Sequence, residues 1–322
     1  MNFISFCSGL DLFGYGMRKA GHTQVGHAEI DKWSNLLNEE YNNSKGENYG
    51  CLRKLAENPH ILPDFEIASA GLPCPAFSIA GRRTANPFDQ KSIGGDLFRS
   101  FCRIIEFKEP KILFLEQVKG VLSSGKEKGD TFREILHRLS ELGYDCQWQV
   151  LNSKNFGVPQ NRERVFIIGH LRGTSRPEVF PILGESCRHT TVGITAETAV
   201  ARTISAGGNS GGNHSGMTIL QLNNPKHSNN RLYDKKGISP TLNACGGGSR
   251  QPFIKEPYEK DPDHPYPQGR RLTPLEFFRL QGAPDDMYHK GVELGISDTQ
   301  LYKMAGNSVT VPVIEAIAKK LV

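Results

Sequence analysis

Short apolar runs alternate with amphipathic stretches along the first 170 residues, and that alternation limits the fold more than any other feature. Phe3-Ile4-Ser5-Phe6, Gln24-Val25-Gly26-His27-Ala28, Phe65-Glu66-Ile67-Ala68-Ser69, Lys111-Ile112-Leu113-Phe114-Leu115 and Val165-Phe166-Ile167-Ile168-Gly169 read as buried strands. Helical periodicity fills the gaps: up to Ala20, from Asp31 through Tyr41, and over Thr131 to Leu142, where Phe132, Ile135, Leu136 and Leu139 share a face. Strands apolar on both faces need helices on both sides, so the reading is an α/β domain with a mostly parallel sheet. Such sheets bind ligands beyond the carboxyl ends of their strands, and the segments just after each strand are where chemistry is to be sought.

Composition excludes several classes. Hydrophobic residues are 37% of the 322 before the 34 Gly are counted, too many for a disordered chain. No apolar run approaches the ~18 residues of a membrane helix, and the N-terminus lacks the basic start of a signal peptide. The seven cysteines contain no CxxC pair and the histidines show no metal spacing. Neither a disulfide framework nor a metal is therefore expected, and a reducing cytoplasm fits.

After about Pro181 the periodicity dissolves into glycine- and proline-rich sequence. Residues 181–271 carry eleven Lys/Arg against seven Asp/Glu, a net +4 out of the chain's formal +5. This segment is either a solvated insert or a surface that meets phosphates. From Leu272 the helical pattern returns, opened by Thr273-Pro274-Leu275-Glu276, an N-cap, a proline in the first turn and a following acid. A last helix is expected from about Pro312 to Leu321.

Three segments at strand boundaries carry reactive side chains. In GLPCPAFSIAGRR (Gly71 to Arg83), Cys74 sits between two prolines that stiffen its backbone, with Arg82 and Arg83 near enough in sequence to favour a thiolate. It is either a reactive thiol or a small buried residue in a stiff turn. Glu116, placed in the loop after the strand Lys111 to Leu115, is either a general acid or a helix-capping carboxylate. Arg162 and Arg164, in Gln160-Asn161-Arg162-Glu163-Arg164, would point to the same side of an extended segment and suit phosphate or carbonyl oxygens; an exposed edge with alternating charge is the other reading.

GLPCPAFS, FLEQVKG and VPQNRERVFIIG in this order, followed by RLTPLEFFRLQGAPDD (Arg271 to Asp286) and AGNSVTVPVIEAIA (Ala305 to Ala318), resemble the DNA (cytosine-5-)-methyltransferase family of the bacterial and phage restriction-modification type. The resemblance runs from about residue 5 to residue 320, apart from the insert. It implies a Rossmann-like S-adenosylmethionine-dependent methyltransferase domain from residues 1–180 and 272–322, with a smaller, irregular, β-rich target-recognition domain over 181–271. It implies methyl transfer to carbon 5 of a cytosine flipped out of a specific duplex DNA sequence, leaving S-adenosylhomocysteine. Cys74 would add to carbon 6 of the ring, Glu116 would hold ring nitrogen 3 and the exocyclic amine, and Arg164 the carbonyl at position 2. Arg162 would order the thiol loop or a phosphate.

By the same resemblance Phe6, Ser8, Gly9, Leu10, Glu29, Ile30, Asn307, Ser308 and Val309 would surround the cofactor, with Glu29 on the ribose hydroxyls and Ile30 against the adenine. Double-stranded DNA is the expected partner, met by Ser78, Arg82, Arg202, Arg231, Tyr233 and Arg250. A monomer without metal is expected, alongside a cognate restriction endonuclease acting separately. Several positions depart from the family pattern. The glycine-rich turn reads Cys7-Ser8-Gly9-Leu10-Asp11-Leu12, Cys51 stands where an Asp is usual, Pro75 replaces a Gln and Gln117 an Asn. Two other readings accompany this one: an RNA (tRNA) methyltransferase on the same fold, and a weakly active or inactive DNA-binding relative.

Overall fold

A computed structural model describes residues 1–41, 46–72, 93–125, 127–182, 231–234, 236–242, 251–255 and 269–321. Two compact units divide the chain. One comprises Met1–Leu151, Glu163–Leu183 and Ser308–Val322, the other Asn152–Arg162 and Gly184–Asn307.

The first unit is built on a seven-stranded sheet. Its strands are β1 (Asn2–Phe6), β2 (Thr23–Ala28), β3 (Glu47–Asn48), β4 (Ile67–Ala70), β5 (Ile112–Val118), β6 (Tyr144–Asn152) and β7 (Glu163–Leu171). They lie in the order β3-β2-β1-β4-β5-β7-β6. β1 pairs in parallel with β2 and β4, β4 with β5, and β2 with β3, whereas β7 runs antiparallel to β5. The first element after β1 is helix α1 (Leu12–Lys19); α2 (Lys32–Tyr41), α3 (Leu52–Glu57), α4 (Ile93–Lys108) and α5 (Asp130–Glu141) follow. β4 and most of β5 are buried on both faces, as strands covered by helices must be. Phe6 lies at the centre of this core, edge-on to Phe65 and Phe101.

Parallel pairing has one functional consequence. The carboxyl ends of β1, β2, β4 and β5 share one edge of the sheet, and antiparallel β7 brings its amino end to the same edge. Glu116 was expected in a loop, but β5 continues through Val118 because β7 keeps pairing with it to Val118↔Arg164. Glu116 and Arg164 are therefore strand residues, held more rigidly than a loop would hold them.

In the second unit, β8 (Leu232–Asp234), β9 (Phe253–Lys255) and β10 (Gly269–Arg271) form a three-stranded sheet in the order β10-β9-β8. Helices α6 (Pro274–Leu280), α7 (Asp285–Glu293) and α8 (Asp298–Asn307) belong to the same unit. The Thr273 hydroxyl accepts from the Glu276 amide while the Glu276 carboxylate accepts from the Thr273 amide, the reciprocal cap expected from the sequence. Residues 272–307 thus fall with the second unit, not with the first as the 271/272 boundary had it. The cause is local: Gln160 donates to the Leu280 carbonyl at 2.8 Å and Gln281 to Ala305 at 2.9 Å, which ties α6 and α8 to segment 152–162. The last helix, α9 (Val311–Ala318), returns to the first unit and packs on α1, where a Cβ on Gly16 would stand 2.8 Å from Ile314.

Candidate active site

On an antiparallel pair, side chains on one face meet their direct and diagonal neighbours. Glu116 of β5 lies opposite Phe166 of β7, so Arg164, two residues away on the same face, is its diagonal neighbour. Arg164 Nε donates to Glu116 Oε1 at 2.9 Å, and both side chains are largely buried, at 16% and 12% exposure. A carboxylate and a guanidinium in this state form a fixed pair of acceptor and donor, able to grip a planar amide-like ring from two sides. The register Ala70↔Leu115, continued one place, sets Gly71 beside Glu116, and a Cβ on Gly71 would lie 4.0 Å from Glu116 Oε2. The chain leading to Cys74 therefore leaves β4 against this carboxylate. Cys74 itself lies outside the described residues, as do Ser78, Arg82, Arg202 and Arg250.

Arg162 departs from expectation. Its guanidinium does not share a side with Arg164. It is buried in the second unit and donates to the carbonyls of Leu242 at 3.4 Å and Gly306 at 3.3 Å. The reason is that Arg162 precedes β7, so strand alternation does not govern where it points. Asn161 and Thr241 complete the same seam: Asn161 donates to the Ser239 carbonyl at 2.8 Å, and the Thr241 hydroxyl to the Asn161 carbonyl at 2.6 Å.

The ends of β1 and β2 form a second cluster. Glu29 Oε2 accepts from the Gly9 amide at 2.7 Å, and Oε1 from the amides of Ile30 and Asp31 at 2.8 Å each. Asn38 donates to the Gly9 carbonyl at 2.9 Å, and Asn48 accepts from the Glu29 amide. Ile30 projects into solvent at 73% exposure, unusual for an isoleucine beside a fixed acid. Gly9 has φ +55° with open space where a side chain would stand. Of the other residues expected here, Phe6 and Leu10 are fully buried, so their side chains serve the core. Ser308 and Val309 belong to the first unit, while exposed Asn307 ends α8 in the second. Burial, with Glu29 adding to it, pushes the Cys7 thiol up to about 12, which leaves it un-ionised.

Asp11, which interrupts the expected glycine-rich turn, has a structural role that sequence reasoning missed. It takes the left-handed conformation, φ 51°, which Asp tolerates better than most residues, and caps α1 by accepting from the Gly14 amide. Its other oxygen accepts from Arg18 and Gln24, each at 3.0 Å. Gly14 makes room for it, since a Cβ there would stand 2.4 Å from the carboxylate. In the second unit Tyr233, expected at the DNA surface, is buried instead, because the alternation in β8 turns it inward. Arg231, just before β8, is exposed. Among the described residues no three His, Cys, Asp or Glu side chains gather as a metal site.

Sheet order and one antiparallel strand define a doubly wound α/β fold, with a carboxylate–guanidinium pair at the sheet edge where such folds bind ligands. Solved structures agree in fold. The S. pombe Dnmt2 methyltransferase superposes with a TM-score of 0.69 at 16% identity, covering 98% of this chain and 96% of that one. The Entamoeba histolytica methyltransferase EhMeth superposes at 0.62 and 15% identity, over 98% and 96%. Residues 1–322 match the family described as C-5 cytosine-specific DNA methylase. The type II methyltransferase M1.ScrFI of Lactococcus lactis subsp. cremoris is 33% identical over 321 residues, 97% of this chain and 77% of that protein. M.SsoII of Shigella sonnei is 33% identical over 97% and 79%, and the orphan methyltransferase M.SPBetaI of Bacillus phage SPbeta 26% identical over 100% and 97%. The chain belongs to the C-5 cytosine-specific DNA methylase family, and its activity is that of a DNA cytosine methyltransferase.

Proposed function

We propose that the chain methylates carbon 5 of a cytosine flipped out of a specific duplex DNA sequence, using S-adenosylmethionine and a covalent Cys74 adduct, in a type II restriction-modification setting. The observation that carries this reading is the buried Glu116–Arg164 pair beside the chain that leads to Cys74. Carbon 5 of cytosine is a poor nucleophile. Addition of the Cys74 thiolate to carbon 6 moves the ring's π electrons toward carbon 5, which then takes the methyl group. Loss of the carbon 5 proton to a water molecule then expels the thiolate and restores the ring. Glu116 holds ring nitrogen 3 and the exocyclic amine as charge builds there, and Arg164 holds the carbonyl oxygen. A stacked base cannot reach such a site, hence the flip. Arg162 Nη1 is engaged by two carbonyls, and its role here is to support the second unit.

When bound, S-adenosylmethionine supplies an electrophilic methyl on a positively charged sulfur. The residues present fit it. Glu29 is a fixed acceptor, Ile30 an apolar surface beside it, and Gly9 an open approach for a backbone-close ligand. Three amides occupy three of the roughly four acceptor sites of the Glu29 carboxylate, which leaves it one ribose hydroxyl without displacing Gly9.

The net +4 of residues 181–271 supports contact with DNA phosphates. Among the described residues no helix is long and apolar enough to cross a membrane. The reading takes the chain as a cytoplasmic monomer, with the cognate endonuclease a separate protein. The test is methyl transfer from labelled cofactor to duplex DNA and to tRNA, followed by bisulfite sequencing of the DNA. One methylated sequence motif, absent with Cys74→Ala, is expected. Transfer confined to tRNA, or equal transfer by Cys74→Ala, would overturn the reading.

A further inference from the structure

Gln117 follows Glu116 on β5, and the pleat turns its side chain to the opposite face of the sheet. The β4/β5 register that sets Gly71 beside Glu116 sets Leu72 beside Gln117. Gln117 Nε2 donates to the Leu72 carbonyl at 3.3 Å. Two consecutive residues of β5 thus border the chain as it leaves β4, Glu116 from one face and Gln117 from the other. Gln117 is only 5% exposed, yet its Oε1 has no hydrogen-bond partner among the described residues. A buried amide oxygen left unpartnered is costly, so one is kept where a donor is to be met. Beyond Leu72, Pro73 and Pro75 have no N–H, so the first amide the sequence offers is that of Cys74.

We propose that Gln117 is a positioning residue for the Cys74 nucleophile: it anchors the backbone at Leu72, two residues before the thiol, and so sets where the sulfur stands relative to Glu116. The inference rests on the assignment of Cys74 above. Gln117 touches no reacting atom, and its effect passes through the Leu72 carbonyl.

The test measures the rate of covalent trapping on a long duplex synthesised with 5-fluorodeoxycytidine in place of deoxycytidine, which needs no knowledge of the target sequence. Gln117→Glu keeps the shape, but its ionised carboxylate cannot donate to Leu72, whereas the protonated form can. Its trapping rate relative to wild type should fall by about ten- to a hundredfold as pH rises from about 6 to about 9. Gln117→Leu should trap slowly at every pH, with S-adenosylhomocysteine affinity within about twofold of wild type as evidence of folding. A Gln117→Glu ratio that stays constant across this range, or a folded Gln117→Leu that traps at the wild-type rate, overturns the proposal. Failure of the underlying assignment looks different: wild type would not trap, or Cys74→Ala would.

Discussion

Arg164 Nε and Glu116 Oε1 stand 2.9 Å apart on diagonal positions of antiparallel strands, each side chain at least four-fifths buried. The pair needs β7 to run against its neighbours. A parallel β7 would bring its other end to the edge where β1, β2, β4 and β5 finish, and Arg164 would lie far from the carboxylate.

Glu116→Gln removes the charge and keeps the shape. Methyl transfer should fall by about 10²- to 10⁴-fold, the range of a general acid–base contribution. S-adenosylhomocysteine binding should hold within about twofold of wild type. Turnover near wild type would remove Glu116 from the chemistry.

Asp11 and Gly14 should behave as a coupled pair. Asp11→Ala loses the cap of α1, about 1 kcal/mol, and leaves a Cβ residue in the left-handed region at a further cost of about 1 kcal/mol. Asp11→Gly should cost less, because Gly accepts that conformation. Gly14→Ala should be destabilising in the wild type, where its Cβ meets the carboxylate, and nearly neutral in the Asp11→Gly background. Urea unfolding of the four proteins closes the cycle. Additive effects would mean that the carboxylate does not fill the space over Gly14.

Arg162→Lys should loosen the second unit. One nitrogen, Arg162 Nη1, donates to both the Leu242 and Gly306 carbonyls; the lysine ammonium sits on a chain one bond shorter and falls short of them, and a buried carbonyl left unpaired costs about 1–3 kcal/mol. Amide hydrogen exchange over residues 236–242 should quicken by about tenfold or more. Strands β1, β4 and β5 should exchange as in the wild type. Unchanged exchange at 236–242 would deny Arg162 this role.

His22, His27 and His170 are buried, and burial lowers all three below the ordinary value of 6.5. Asp11, Glu29 and Glu39 oppose the shift at His27, and Arg18 adds to it. A base whose folded pKa lies below its unfolded one is protonated more readily in the unfolded chain. Stability is therefore complete above about pH 6.5 and is lost as pH falls, by at most about 1.4 kcal/mol per pH unit for each histidine. The carboxylates held low by ion pairs, such as Glu276 and Glu315, act only lower, around their ordinary value of 4.5. The unfolding midpoint should fall between about pH 7 and pH 5, less steeply for His27→Gln. A flat profile there would contradict it.

The strands and helices were legible because burial periodicity is a local property: β1, β2, α2 and α5 lie within two residues of where their apolar patterns put them. The cap of α6 was legible too, since Thr273 and Glu276 are three residues apart and need nothing else. Cys74, Glu116 and Arg164 stood out as residue types at strand boundaries, and their order identified the family. Asp11 was legible only as a departure. Its capping role depends on a left-handed backbone and on Arg18 and Gln24, a combination that no linear spacing announces.

The sequence by itself determined the class of fold, the order of the motifs and the segment that carries the positive charge, because each is written in neighbouring residues. Only the tertiary structure decided the partners. It gave Arg164 to Glu116 and Arg162 to two carbonyls of its own, second unit, buried Tyr233, and put Gln117 on Leu72, 45 residues away in sequence. The physical reason is strand pairing. Register and direction between distant strands select which side chains meet, and that selection depends on the whole sheet.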